Sequence, residues 1–129
     1  MDGQIEKGET GHCGRVNWDR FGVLACRDVT LMCDLSEMFK VRGPQLLRAI
    51  DDAAQSKNLK AFVRAAHTLK GTTDVFGSLE IVELARTLEA TTETDLVNCI
   101  PTIGVLRQKV EELVDELDLF LREHEKPNS

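Results

Sequence analysis

Ile103, Leu106, Val110, Leu113, Leu117 and Phe120 recur at steps of three and four. At 3.6 residues per turn this spacing gathers all six on one stripe of a helix, so the segment must pack that stripe against something apolar. The same rhythm appears three more times upstream. It runs through Leu79, Val82, Ala85 and Leu88, with Ile81 and Leu84 beside them. It runs through Leu59, Phe62, Val63, Ala66, Leu69 and Thr73. It runs through Leu31, Met32, Leu35, Met38 and Phe39 and again through Leu46, Leu47, Ile50 and Ala53. No stretch alternates apolar and polar residues as a half-buried strand would. Four amphipathic helices with short connections predict an all-α, antiparallel four-helix bundle, with a short additional N-terminal helix over Trp18 to Ala25.

Punctuation marks the helix ends. Asp28 or Thr30 suits the cap of the second helix, and Asn58 the cap of the third, because each side chain can accept a free backbone N–H. Gly43-Pro44 predicts a kink or a restart, since proline lacks the donor a helix interior needs. Gly77 suits a left-handed residue after a helix end, Ser78 a cap with Glu80 complementing the dipole, and Asp95 a cap for the last helix beyond the polar run Thr91–Asp95. Pro101 is tolerable in a first turn. Residues 1–15, with Gly3, Gly8, Gly11 and Gly14, read as a flexible tail. Residues 16–124 form the bundle, and 125–129 a frayed end.

Charge narrows the function. The 129 residues carry a formal net charge of −6, which argues against a general nucleic-acid binder. The N-terminus has no apolar signal core and no run reaches the roughly 20 apolar residues of a membrane span, so the expected compartment is the cytoplasm. Cys13, Cys26, Cys33 and Cys99 form no C-x-x-C pair and read as reduced thiols. His12, His67 and His124 show no metal-ligand spacing, so no metal and no cofactor is expected.

One histidine stands apart. With Ala66 at the centre of the third helix's buried face, Leu59, Phe62, Leu69 and Thr73 fall within about 60° of it, and His67 about 100° away, at the rim. Arg64 lies three residues before His67, Lys70 three after, Lys60 two turns back and Gly71 one turn ahead, so the imidazole is flanked by cations with a bare turn beside it. A mid-helix glycine costs roughly 1 kcal/mol relative to alanine, and the return is space for another molecule to approach the ring. A phosphoryl group on that ring would bring about two negative charges, which an ammonium one turn away can hold and later release.

His67-Thr68-Leu69-Lys70-Gly71, followed by Phe76-Gly77, resembles the H-x-L-K-G…G motif of histidine-containing phosphotransfer (HPt) domains. Ala65-Ala66 and Leu84-Ala85-x-x-Leu88-Glu89 are similar to that family's flanking pattern, and the likeness spans roughly residues 17 to 122. The resemblance implies a four-helix bundle in which His67 is the phosphoacceptor, Lys70 and Arg64 steady the phosphate, Gly71 keeps the ring accessible and Gly77 ends the helix. Lys60, Arg64, Lys70 and Gly71 would meet the partner, together with the helix around Leu31 to Arg42. Thr72 and Thr73 depart from the small Ser or Ala common there, and Asp74 adds an acid. The partners so implied are receiver domains of response regulators or hybrid kinases, which bring the aspartate and Mg²⁺. The chain would be a carrier rather than an enzyme. Two alternatives stay open: the phosphoacceptor domain of a chemotaxis-type histidine kinase, and a non-phosphorylated helical binding module.

Overall fold

The capping side chains decide where the helices begin. The computed structural model describes residues 15–124. Asn17 accepts a hydrogen bond from Arg20 N (3.1 Å), Asp28 from Leu31 N (3.3 Å) and Asn58 from Ala61 N (3.1 Å), each satisfying a donor that the first turn leaves free. The elements that follow are α1 (Trp18–Leu24), α2 (Val29–Gln55), α3 (Leu59–Asp74), α4 (Leu79–Glu89), a short 3-10 helix (Leu96–Cys99) and α5 (Ile100–Glu123). Among the described residues the structure is wholly helical, as the spacing predicts. None of these helices is long and apolar enough to cross a membrane.

The four long helices pack in a ring: α2 on α3, α3 on α4, α4 on α5, and α5 back on α2. Lys40 pairs with Asp118 (2.5 Å) and Asp51 with Arg107, so α2 and α5 run in opposite directions. All six residues of the last helix's stripe are buried, as are Phe39, Leu46, Leu47 and Ile50 from α2 and Phe62, Ala66 and Leu69 from α3. One end of the bundle is closed by aromatic rings. Phe76, in the α3–α4 turn, lies 4.8 Å from Phe21 and 5.3 Å from Phe39 between ring centroids, and Trp18 lies 5.0 Å from Phe120. Such contacts add to the area each ring buries.

A single carboxylate ties α1 to this end. Glu116 of α5 accepts from Arg15 N (2.6 Å) and Val16 N (3.2 Å) through one oxygen and from the Trp18 indole (2.9 Å) through the other. The Arg15 guanidinium pairs with Glu80 and Glu112. Arg15, which composition groups with the tail, is therefore anchored; the other expected tail positions, 1–14 and 125–129, lie outside the described residues, as do His12 and Cys13.

Several local expectations need correction. Gly43-Pro44 does not interrupt α2, which runs through as 27 residues. The lost backbone bond is outweighed because both halves share one buried stripe, and Gly43 is needed for a different reason. A Cβ there would lie 2.9 Å from the Phe39 ring, so the glycine makes room for a core aromatic. Ser78 sits at the N-cap position of α4, but its hydroxyl donates to the Arg15 carbonyl instead of accepting. Asp95 precedes the 3-10 helix rather than α5, which starts at Ile100 with Pro101 in its first turn. Leu79 is 70% exposed, whereas Ile81, expected beside the buried face, is fully buried. Leu31 and Met38 are also exposed. α2 closes with Lys57 at φ +58° and a bond from Asn58 N to Ala53 O (2.9 Å), a left-handed ending made without glycine.

Candidate functional site

α3 carries the candidate site because its sequence puts small and apolar residues on one side and cations on the other. Phe62, Ala65, Ala66, Leu69 and Thr73 are buried. Thr73, polar but fully buried, donates its hydroxyl to Leu69 O (2.8 Å) and so needs no outside partner. The opposite rim holds Lys60, Arg64, His67 and Gly71, all exposed. The His67 side chain is 65% exposed, where sequence spacing places it.

The surroundings of the ring differ from a girdle of cations. Glu89, in the last turn of α4, reaches across to α3 and bridges two of its residues. Its Oε2 lies 2.5 Å from His67 Nδ1 and its Oε1 lies 2.6 Å from Lys70 Nζ. Lys70 therefore stands beside His67, as expected, but its ammonium is shared with a carboxylate that spacing along α3 does not reveal. The Lys70 ammonium first, and then the His67 ring, hold the Glu89 carboxyl below its usual range, so it is ionised at neutral pH. An ionised carboxylate only accepts hydrogen bonds. In the neutral ring the proton must then sit on Nδ1, which leaves the lone pair on Nε2. The result is an imidazole with one nitrogen anchored and the other, unpartnered among the described residues, carrying the lone pair a nucleophile needs.

Glu89 is the residue that sequence reasoning assigned no role. Its signal was present: it follows the buried Leu88 by one position in the segment that resembles the family's flanking pattern. Only the packing of α4 against α3 turns that acid toward the ring. Arg64 and Lys60 make no ion pair among the described residues, and neither touches the ring through a hydrogen bond.

Gly71 meets nothing: a Cβ built there has no neighbour within 4 Å. The fold of the described residues does not ask for this glycine, so its cost in the last turn of α3 has no return among them. The adjoining α2, which packs on α3, exposes the apolar side chains of Leu31, Met38 and Val41. No group of three or more His, Cys, Asp or Glu side chains among the described residues could hold a metal ion. Cys26, Cys33 and Cys99 are free thiols. Burial, and then Glu37 and Asp34, push the Cys33 thiol up, away from the reactive thiolate.

The sequence model of one protein family, described as the Hpt domain, matches residues 34–119. No curated protein and no solved structure matches the chain.

Proposed function

The chain belongs to the Hpt domain family, so its role is histidine phosphotransfer in a phosphorelay, and we propose that His67 is the acceptor, taking its phosphoryl group from a receiver-domain aspartate and passing it to another receiver. The observation that carries this assignment is the exposed ring held through Nδ1 by Glu89, with no partner for Nε2 among the described residues. The Nε2 lone pair attacks phosphorus, the bond from phosphorus to the aspartyl oxygen breaks, and the carboxylate leaves with the electron pair. The return step runs the same way onto the next receiver's carboxylate. Both steps depend mainly on in-line placement and charge stabilisation.

Each neighbour has a part in that scheme. Lys70, one helical turn from His67, can turn its ammonium from Glu89 to the incoming phosphoryl oxygens. Arg64 lies one turn the other way and adds a second cation. Lys60 extends the positive rim toward the acidic site of a receiver, and the exposed Leu31 and Met38 supply apolar contact. The receiver brings Mg²⁺, and this chain acts as a carrier of the group.

Incubation with receiver domains bearing aspartyl phosphate tests the proposal. The chain should gain acid-labile, base-stable phosphate, and peptide mapping should place it on His67. Label that appears only with ATP and a separate kinase core would instead assign the acceptor role to kinase-driven signalling. Label on any other residue would end the proposal.

Gly71→Ala gives a second check, because its two effects have opposite signs. The substitution removes the glycine penalty and meets no clash, so the protein should gain up to about 1 kcal/mol of stability in denaturant unfolding. The added methyl would stand one turn from His67 on the exposed rim that a partner must approach, so transfer from a receiver should slow by roughly ten- to a hundredfold. Stabilisation with unchanged transfer would show that the open turn serves no partner.

A further inference from the structure

We propose that Glu89 keeps the phosphorylated His67 ring protonated at Nδ1, so that the phosphoryl group rests on a good leaving group and stays ready to move. This inference rests on His67 being the acceptor, and it concerns what happens after the group has arrived.

The geometry is a carboxylate oxygen 2.5 Å from Nδ1. Before phosphorylation, the neutral ring carries its proton on Nδ1 and its lone pair on Nε2. Attack converts that lone pair into the N–P bond, leaves the Nδ1 proton in place and makes the ring positive. A ring free in water can shed this proton. Here shedding it would set a bare nitrogen lone pair against an ionised carboxylate with nothing between them, so the proton is retained.

Retention decides the chemistry of departure. When the N–P bond breaks, its electron pair returns to Nε2 while the incoming carboxylate oxygen supplies the pair for the new bond. From the protonated ring the product is neutral imidazole with its hydrogen on Nδ1, and no proton needs to arrive or leave. From a deprotonated ring the same cleavage would expel an imidazolate anion, a far poorer leaving group. Glu89 thus acts through His67 as a positioning residue that suits the site to transit rather than storage.

The other charges around the ring fit this assignment. On α3, Arg64 and Lys70 flank it and favour loss of the proton. On α4, Glu89 opposes them, while Arg86 is occupied by Glu83 at 2.5 Å. α2 packs against another edge of α3 and gives the ring no hydrogen bond or ion pair among the described residues. Lys70 holds the second oxygen of Glu89 at 2.6 Å before phosphorylation; once its ammonium turns to the phosphoryl oxygens, the Nδ1 proton is the partner that carboxylate keeps.

The experiment compares the wild-type chain with Glu89→Gln, which is nearly isosteric. Its amide can donate to a bare Nδ1, so it lets the proton go. Both proteins are loaded with phosphoramidate, a small phosphoryl donor that needs no partner protein, and loss of phosphohistidine is followed by ³¹P NMR from about pH 5 to about pH 10. The wild type should keep its fast loss into the alkaline range. In Glu89→Gln the rate should fall away about one to three pH units earlier, which lengthens the phosphohistidine lifetime on the order of tenfold or more near pH 8. Coincident pH profiles would overturn the inference, and so would a rate changed by one factor at every pH, which would mark Glu89 as orienting the ring and nothing more. Loading that persists in His67→Gln would instead remove the acceptor assignment on which the inference rests.

Discussion

His67→Gln should abolish phosphoryl acceptance, by at least roughly a thousandfold, while leaving the bundle as stable as before. The two halves of this expectation have separate physical grounds. Glutamine offers an amide in place of the imidazole, and an amide nitrogen has no lone pair available to attack phosphorus. The folded state loses little, because the His67 side chain is 65% exposed and its one hydrogen bond among the described residues is to Glu89. The glutamine NH₂ can donate to that same carboxylate, so Glu89 is not left without a partner. Surface changes of this kind usually stay within about 0.5 kcal/mol. Labelling by a phosphorylated receiver, read beside a chemical melt, checks both halves. Persistent label would move the acceptor elsewhere. His124 is a poor substitute among the described residues, since its ring packs on Phe120 at 4.3 Å and its Nδ1 lies 2.9 Å from the Phe120 carbonyl oxygen. Absence of label in the wild type together with partner binding that ignores the substitution would point to a helical binding module.

Gly77→Ala should destabilise the protein by on the order of 3 kcal/mol and lower its melting temperature by roughly 10 °C. Gly77 sits at φ +67°, where an L side chain costs about 1–2 kcal/mol. A Cβ there would also lie 2.6 Å from the Asn17 Cβ and 3.1 Å from the Arg20 Cδ. Neither neighbour can withdraw freely. Asn17 caps α1 and donates its backbone N–H to Phe76 O at 2.8 Å, and Arg20 pairs with Asp74 at 3.1 Å. The methyl would therefore push α1 off the α3–α4 turn and loosen the Phe21–Phe76 contact beneath it. Gly77→Asn separates the two contributions. Asparagine tolerates positive φ, so a melt that recovers fully would assign the cost to backbone conformation alone; a variant that stays strongly destabilised would assign it to the contact with Asn17.

The glycines show how far sequence reasoning reaches. The left-handed conformation of Gly77 is legible, because it follows a helical stripe and precedes a new one. Its contact with Asn17 is not, because those residues are brought together by the docking of α1. The reverse holds at Gly43, where local rules predict an interruption and the core needs a gap for Phe39. At Gly71 the exposed place on the rim of α3 is legible, because it follows from the helix repeat and no described neighbour intervenes.

Relations inside one helix follow from its repeat alone. A step of three or four residues sets which side chains share a face, so the last helix's stripe, most of the other three, the Asn58 cap and the grouping of Arg64, His67 and Lys70 on one rim of α3 could be read from residue order. Relations between helices depend on how each is rotated and slid against the next, which is settled by the interlocking of their side chains over the whole interface. For that reason the meeting of Glu89 with His67 and Lys70, and the grip of Glu116 on Arg15, Val16 and Trp18, came into view only once the bundle was assembled.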